Sequence, residues 1–394
     1  MTQWNRLRAA PSLRFGVIYA ALFLQFGFLL PYWPVYLKAR GLDPQAIGLF
    51  YAVMGLARVV TVPLAALLGE HYGQGARYLL FLALGAAVPY ALMAWAHGTA
   101  TYLLVAVAIA TFVPALMAIV DAKTLAAAQA GELVYGRARL WGSATFIVVN
   151  LAGGALIAKL GPAYINWLLF EVALLGAASL LLLPHAAPRE SNRPRVSMRE
   201  VRALLGNWRL IAFIAAAGLG QASHAVFYTF GTLDWQHQGY GETLIGALWA
   251  IGVVAEIVLF AFGQRLSTRF SPLGLAMLAV GISIVRWLVM VLNPPLASLF
   301  AVQLLHAFSF GALHLATMSG LHRMVSPALS ATAQGLYAAV SGGVLMAFAS
   351  GVSGPLYAAH GRYAYLFAAA LALAALGIFT ALKREEDAGV PSAP

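Results

Sequence analysis

Two segments of this chain, 41–60 and 239–258, repeat one pattern at an offset of 198 residues. They read GLDPQAIGLFYAVMGLARVV and GYGETLIGALWAIGVVAEIV. The identical pairs include Gly41 and Gly239, Ile47 and Ile245, Gly48 and Gly246, Ala52 and Ala250, and Ala57 and Ala255. At the same offset Arg58 falls on Glu256, so each copy carries one charge of opposite sign in an apolar segment. The chain is therefore predicted to be a duplication of about half its length.

The composition requires a lipid environment. Hydrophobic residues make up 62% of the chain and charged residues 9%, whereas a soluble domain carries about 25% charged residues. With a mean hydropathy of +0.82, the chain is predicted to be an integral membrane protein that contacts the lipid bilayer. The net charge of the chain is +11, but its basic residues lie between apolar runs and form no continuous basic surface. This distribution argues against a nucleic-acid partner. The absence of cysteine excludes disulfides and thiolate metal sites.

Twelve apolar stretches of about 20 residues or more can cross the roughly 30 Å of hydrocarbon as helices. They cover residues 15–37, 45–69, 77–97, 101–128, 137–159, 163–184, 209–234, 243–263, 272–292, 296–321, 330–351 and 362–382. The first follows Arg6, Arg8 and Arg14, but it is too long for a cleaved signal peptide and no small-residue cleavage site ends it. We expect an all-α membrane protein with twelve transmembrane helices in two pseudo-symmetric six-helix bundles.

The basic residues between the spans predict the orientation. One side of the predicted membrane holds Arg6, Arg8, Arg14, Arg77, Arg137, Arg189, Arg193, Arg195, Arg199, Arg202, Arg209, Arg265, Arg269, Arg323, Lys383 and Arg384. The other side holds Lys38, Arg40, Lys159 and Arg362. Because positive charge accumulates on the cytoplasmic side, both termini are predicted to be cytoplasmic, in the inner membrane of a bacterium.

A single long polar segment, 185–208, separates the sixth and seventh spans. It divides the chain into an N-terminal bundle at 1–184, a cytoplasmic linker at 185–208 and a C-terminal bundle at 209–394. The stretch from Met198 to Leu205 is basic and amphipathic, so it is expected to lie on the anionic inner leaflet.

Ionisable residues inside spans are costly and are expected to face a polar cavity or a partner. The set comprises Arg58, Asp121, Lys123, Arg139, Glu171, His224, Glu256, Arg286, His306 and His314. Asp121 near the inner end of span four and Arg139 at the start of span five flank a short turn, which predicts an ion pair. Phe146 follows Arg139 by two helical turns, so its ring suits stacking on an organic ring or sugar. The pattern assigns no role to Glu171 or His314.

Glu256 is predicted to be the only acidic residue deep in a span of the second half. Burial favours the neutral, protonated form of a carboxyl, which suits a proton carrier. Arg286 in span nine is the natural counter-ion of this carboxyl. His306 and His314 lie eight residues apart, on roughly one face of span ten.

Several strings are similar to lactose permease of the major facilitator superfamily. YGRARLWG at 135–142 resembles its FGRARMFG, LPYWPVYL at 30–37 resembles its FPFFPIWL, and LLHAF at 304–308 resembles its TLHMF. The acidic residue also precedes the arginine by 18 residues in both chains. The resemblance implies that Asp121 and Arg139 take part in sugar recognition and that Phe146 stacks on a sugar ring. It also implies that His306 is a functional histidine.

The chain departs from the permease pattern in the second half. Ser309 stands where the permease has its proton-carrying glutamate. Gln221 and His224 stand where it has acidic residues in span seven, and Gln303 stands where it has their lysine partner. The scaffold is therefore expected to be shared and the coupling network to differ.

A closer resemblance covers nearly the whole chain and is to the 3-phenylpropionic acid transporter branch. The shared features are the YGxxRLWGS string, an arginine at Arg58, a histidine at His224, GVVAE at 252–256, VRW at 285–287 and the histidines at His306 and His314. The branch name implies an aromatic carboxylate as substrate. Arg58 would then supply a cation for that carboxylate.

These patterns predict a proton-coupled symporter that imports a small organic solute by rocking of its two halves about a midplane site. The predicted substrate-binding residues are Arg58, Asp121, Arg139, Phe146 and His224, and the predicted proton-coupling residues are Glu256, Arg286 and His306. A sugar or nucleoside symporter and a drug/proton antiporter are the alternatives. No nucleophile elbow, phosphate loop or metal-ligand cluster in the sequence supports an enzyme. We expect a monomer that uses the proton as coupling ion and needs no cofactor.

Overall fold

The computed structural model describes residues 11–72, 75–183 and 198–388, and the regular elements in these ranges are helical. The first half contains α1 (Pro11–Ala39), α2 (Pro44–Tyr72), α3 (Ala76–Leu92), α4 (Thr99–Gln129), α5 (Tyr135–Leu160) and α6 (Ile165–Ser179). Short 3-10 turns at Pro162–Tyr164 and Leu180–Leu182 extend α6 at both ends.

The second half begins with a short helix over part of the predicted linker. Its helices are α7 (Met198–Gly206), α8 (Trp208–Ala222), α9 (Ala225–His237), α10 (Glu242–Ala261), α11 (Gly263–Arg269), α12 (Pro272–Val291), α13 (Leu296–Leu304), α14 (Leu313–Met324), α15 (Ser330–Ala338), α16 (Met346–His360) and α17 (Tyr365–Asp387). Two π-helical segments, Ala307–Ala312 and Ala339–Leu345, join α13 to α14 and α15 to α16.

Ten helical ranges in the described part of the chain are long and apolar enough to cross a membrane. One of them, Pro327–Asp387, has 61 residues and contains the last two predicted spans, with a 3-10 turn at Gly361–Ala364 between them. The predicted span 77–97 is a shorter apolar helix that ends at Leu92, where the chain enters a turn. Helices suit this environment because they satisfy their backbone hydrogen bonds internally. The chain is thus an integral membrane protein built from helices.

The repeat found in the sequence has a matching backbone geometry. Gly41 and Gly239 adopt left-handed conformations with φ of 86° and 85°. Each glycine N–H donates to the carbonyl three residues earlier, and the next N–H donates to the carbonyl five residues earlier. This arrangement ends α1 and α9 in the same way, since glycine reaches the left-handed region without steric cost.

Two compact units divide the chain. The first comprises Met1–Glu190 and Trp235–Ala250, and the second comprises Ser191–Asp234 and Ile251–Pro394. In the first unit α1 packs against α5 and α6, and α4 packs against α2 and α3. In the second unit α17 packs against α8 and α12 around a core of apolar side chains.

A close helix crossing in the first unit joins α5 to the start of α10. A Cβ atom on Gly154 would lie 2.3 Å from the Glu242 carbonyl oxygen, and one on Gly246 would lie 1.9 Å from the Asn150 carbonyl oxygen. The Tyr32 hydroxyl donates to both carbonyls, at 2.9 Å to Asn150 and 3.4 Å to Glu242. Small residues permit such backbone contact between membrane helices. The crossing therefore requires glycine on both helices.

Replacing Gly246 with alanine is expected to lower the free energy of unfolding by about 1–3 kcal/mol, the range for overpacking. The reason is the contact between the new Cβ and the Asn150 carbonyl. Gly281 in α12 is the matched control, because a Cβ there would meet no atom within 4 Å. Gly281→Ala is expected to be neutral or to stabilise by up to about 1 kcal/mol. Thermal unfolding in detergent measures both, and equal melting temperatures for Gly246→Ala and the parent would contradict the crossing.

Candidate functional site

Arg286 is the centre of a hydrogen-bonded cluster in the second unit. Its side chain in α12 is fully buried. Nη1 donates to Ser309 Oγ at 3.0 Å and to His306 Nδ1 at 3.2 Å, and Nη2 donates to Gln303 Oε1 at 3.0 Å. The Nε atom of Arg286 and the Nε2 atom of Gln303 are buried and have no hydrogen-bond partner within the described ranges. The cluster therefore holds donors that are not used within the part of the chain that the structure describes.

The hydrogen bonds fix the tautomer of His306. A guanidinium can only donate, so His306 Nδ1 accepts from Arg286 and carries no proton. The neutral ring then has its proton on Nε2, which lies 3.8 Å from Glu256 Oε2. A second proton on this ring would break the bond to Arg286 and place two positive charges side by side. His306 is thus held neutral, with its N–H directed toward the carboxyl.

His224 has the opposite tautomer. Its Nδ1 lies 3.1 Å from the Gln221 carbonyl oxygen, which can only accept, so Nδ1 carries the proton. Its Nε2 lies 3.1 Å from Ser309 Oγ and accepts the hydroxyl proton. The hydrogen bonds therefore run in one direction, from Arg286 through Ser309 to His224.

Glu256 approaches the cluster because α14 and its preceding π-helix leave space beside it. A Cβ atom on Gly311 would lie 3.3 Å from Glu256 Cγ, so a larger residue would crowd the carboxyl-bearing chain. Gly311 and Ser309 both lie in the π-helical segment. Single π-helical turns inside α-helices often occur at functional sites because they shift side chains out of helical register.

Two aromatic rings accompany the buried cation. The Cζ atom of Arg286 lies 4.5 Å from the ring centroid of Trp287 and 4.8 Å from that of Phe227. Trp287 is itself held by a hydrogen bond from Nε1 to Ser223 Oγ at 3.0 Å. Cation–π contacts of this kind offset part of the cost of removing a guanidinium from water.

The second unit contains another buried acidic residue, which lies one turn before the end of α9. Asp234 in α9 is also buried, and its Oδ1 lies 3.7 Å from Nη2 of Arg362. The predicted span 209–234 ends at Asp234. Instead α9 continues to His237, and the 3-10 turn before α17 brings Arg362 over the carboxylate.

The predicted pairing of Asp121 with Arg139 is present in the first unit. Asp121 Oδ1 lies 3.9 Å from Arg139 Nε, and the two side chains are about one-third exposed. The hydroxyl of Tyr19 donates to Asp121, and that of Tyr135 donates to it at 3.3 Å. Sequence reasoning did not identify these tyrosines, because aromatic residues are common in membrane helices and carry little signal there.

The rings beside Arg139 come from α1. Its Cζ atom lies 4.2 Å from the ring centroid of Phe23 and 5.4 Å from that of Tyr19. Phe146, which the spacing along α5 favoured, is buried, and its carbonyl accepts a hydrogen bond from Asn150. The role of Phe146 stays a prediction.

Arg58 in α2 makes neither a hydrogen bond nor an ion pair with any residue in 11–72, 75–183 or 198–388. Its Nε atom is buried. Glu171 in α6, by contrast, is exposed. His314 ends a column of stacked rings in which Phe310 lies 5.2 Å from His306 and 6.4 Å from His314, between ring centroids.

The helices and their buried charges define a membrane transporter, and comparison with known proteins identifies its family. Residues 13–369 match the MFS_1 like family, and the chain belongs to this family of major facilitator superfamily transporters. The chain is 31% identical over 369 residues to a probable 3-phenylpropionic acid transporter of Escherichia coli (strain K12), covering 91% of this chain and 94% of that relative. The resemblance predicted from the sequence is confirmed.

Two further comparisons extend this result. The chain is 29% identical over 402 residues to a maltose permease of Geobacillus stearothermophilus, covering 97% of each protein. A crystal structure of a variant of the nucleoside transporter NupG matches with a TM-score of 0.81 at 17% identity, over 94% of this chain and 99% of that one. At this identity the structural likeness establishes the fold.

Ser309→Ala is expected to lower the free energy of unfolding by about 1–3 kcal/mol, since it leaves His224 Nε2 and one Arg286 donor buried without a partner. Ser353→Ala is the matched control, because Ser353 is equally buried and its hydroxyl donates only to the Ala349 carbonyl one turn away. That loss is expected to cost less than about 1 kcal/mol. Chemical unfolding in detergent compares the two, and an equal cost for both variants would refute the role of Ser309 as a link.

Proposed function

We propose that the protein is a proton-coupled symporter that imports a small organic acid, with an aromatic carboxylate such as 3-phenylpropionate as its substrate. The observation that carries the proposal is that two arginines inside the spans lack a carboxylate partner in the described part of the chain. Neither Arg58 nor Arg286 has a carboxylate within 4 Å among the described residues. An arginine in a membrane span is energetically costly, so its presence there suggests a functional role. Binding of an anion that arrives from outside the protein would provide the missing partner.

The second unit offers donors that suit a carboxylate. The unused N–H groups of Arg286 and Gln303 are fixed donors in a water-poor setting, where charge-assisted hydrogen bonds are strong. Phe227, Tyr228 and Trp287 supply aromatic surface around the same cluster. The name of the 31%-identical relative supports an aromatic acid as the class of substrate.

Glu256 is the proposed proton carrier. Both histidines near it are held neutral by their hydrogen bonds, and Arg286 cannot release its proton. The formal charge of Arg286 and Glu256 together is zero when the carboxyl is ionised and +1 when it is protonated. An anionic substrate therefore complements the protonated state, and a proton and an acid would move in the same direction.

The same proposal includes the topology. We place the chain in the bacterial inner membrane, with twelve spans in two six-helix bundles at 1–184 and 209–394. Both termini and the linker at 185–208 are proposed to be cytoplasmic, because positive charge accumulates there. The proton is the proposed coupling ion, and transport would need no cofactor and no catalytic residue.

A sugar symporter is the second candidate function. The observation that favours it is the partly exposed pair of Asp121 and Arg139, whose carboxylate and guanidinium could hydrogen-bond sugar hydroxyls. The similarity to a maltose permease supports this candidate. Competition by uncharged sugars, and none by aromatic acids, would favour it over the organic acid.

Arg58→Ala is expected to weaken binding of 3-phenylpropionate by about 1.5–3 kcal/mol, the range for hydrogen bonds to charged groups. Arg58→Lys should restore part of this affinity because it restores the charge. Arg323→Ala is the control, since Arg323 is an exposed cation at the end of α14. Binding to purified protein is measured by calorimetry or thermal shift. Unchanged affinity in Arg58→Ala would remove Arg58 from the site.

Glu256→Gln is expected to abolish uphill accumulation of substrate while leaving counterflow exchange largely intact. The amide preserves the shape of the side chain and cannot take up a proton. Proteoliposomes loaded with substrate report exchange, and an imposed pH gradient reports accumulation. Asp234→Asn serves as the comparison, because Asp234 is a buried carboxylate that is paired with Arg362. Accumulation that survives in Glu256→Gln and fails in Asp234→Asn would transfer the carrier role to Asp234.

A further inference from the structure

Two tyrosine hydroxyls, from different helices, hold the carboxylate of Asp121. Tyr19 of α1, which is fully buried, and Tyr135, at the start of α5, both donate to Oδ1. The Nε atom of Arg139 lies 3.9 Å from the same oxygen. This separation is roughly 1 Å longer than a charge-assisted N–H···O hydrogen bond. The carboxylate is therefore hydrogen-bonded to the tyrosines and not to the guanidinium.

Aromatic rings hold the guanidinium of Arg139. Its Cζ atom lies 4.2 Å from the ring centroid of Phe23 and 5.4 Å from that of Tyr19. Gly142, three residues along α5, leaves room for this contact, because a Cβ there would lie 2.8 Å from Phe23 Cδ2 and 3.2 Å from Arg139 Nη1. Arg139 donates no hydrogen bond to any other residue in the described ranges. Cation–π attraction thus positions the guanidinium while its N–H groups stay available as donors.

The two hydroxyls oppose closure of the ion pair. A carboxylate and a guanidinium on neighbouring helices can close into a bidentate pair, which uses both oxygens and two N–H groups. Here Oδ1 of Asp121 already accepts from two hydroxyls, which spread part of its charge. Tyr135 stands where the lactose permease string FGRARMFG has phenylalanine, so that string lacks one of the two donors.

We propose that Tyr19 and Tyr135 are positioning residues that hold Asp121 back from Arg139 and leave the guanidinium free to bind an acceptor oxygen of the transported solute. The inference rests on the proposed function for the identity of this solute. The position of the guanidinium itself can be measured without any solute, so the two ideas can fail separately.

Phenylglyoxal, which reacts with free guanidinium groups, tests the position of Arg139. Tyr135→Phe should reduce labelling of the Arg139 peptide about tenfold, because Asp121 then closes onto Arg139 through hydrogen bonds between charged groups. Asp121→Asn added to Tyr135→Phe should restore labelling, since an amide does not form the ion pair. Tyr36→Phe is the matched control, because the Tyr36 hydroxyl is also buried and donates to the Met93 carbonyl at 3.2 Å. Mass spectrometry measures the labelling of each variant.

Protection by solute connects this position to transport. 3-Phenylpropionate should protect Arg139 from phenylglyoxal in the parent protein, and it should bind to Tyr135→Phe about tenfold more weakly. Protection by maltose alone would keep the positioning role and replace the acid by a sugar as the solute. An acid that binds the parent protein but leaves Arg139 fully reactive would overturn the proposal. Unchanged labelling in both Tyr19→Phe and Tyr135→Phe, with melting temperatures that show folded proteins, would overturn it whether or not either solute binds.

Discussion

A buried guanidinium keeps its proton, so the residues around Arg286 must provide acceptors and rings that compensate for lost water. Ser309, His306 and Gln303 provide the acceptors, and Trp287 and Phe227 provide the rings. Each of these acceptors is then occupied by a hydrogen bond from Arg286. His306 cannot take a proton on Nδ1, and Ser309 must direct its own proton to His224. One arginine thus determines the protonation of two histidines and the direction of every hydrogen bond between them.

This constraint explains why the chain departs from lactose permease where it does. Three of the positions that differ, Ser309, Gln303 and His224, are positions whose side chains hold Arg286 and its neighbours in place. An acidic residue at 309 would pair directly with Arg286 and remove its positive charge from the site. Serine satisfies the geometry and leaves the charge in place. In this chain the nearby carboxyl lies instead at Glu256, on the other side of His306.

The sequence predicted the features that depend on periodicity and spacing. The repeat aligned Gly41 with Gly239, which end their helices in the same way, and the turn between spans four and five predicted the contact of Asp121 with Arg139. It could not predict the contacts that depend on helix rotation. Tyr19 and Phe23 reach Arg139 only because α1 presents that face to α5, and no local signal distinguishes these rings from others in a span. Asp234 was missed because burial at a helix end depends on a distant turn.

The two copies of the repeat carry charges of opposite sign, and these charges have different surroundings. Arg58 and Glu256 occupy equivalent positions, yet Glu256 lies beside His306, whereas Arg58 is not paired within the described chain. A Cβ on Gly252 would lie 3.5 Å from His306 Cβ, and a Cβ on Gly311 would lie 3.3 Å from Glu256 Cγ, so both glycines lie close to this pair. The two copies therefore place a charge at equivalent positions of the repeat but give it different surroundings. A proton can neutralise the carboxyl, whereas the arginines keep their charge. Protonation would therefore make the charge inside the spans more positive, which is what the proposed symport of an anionic solute requires.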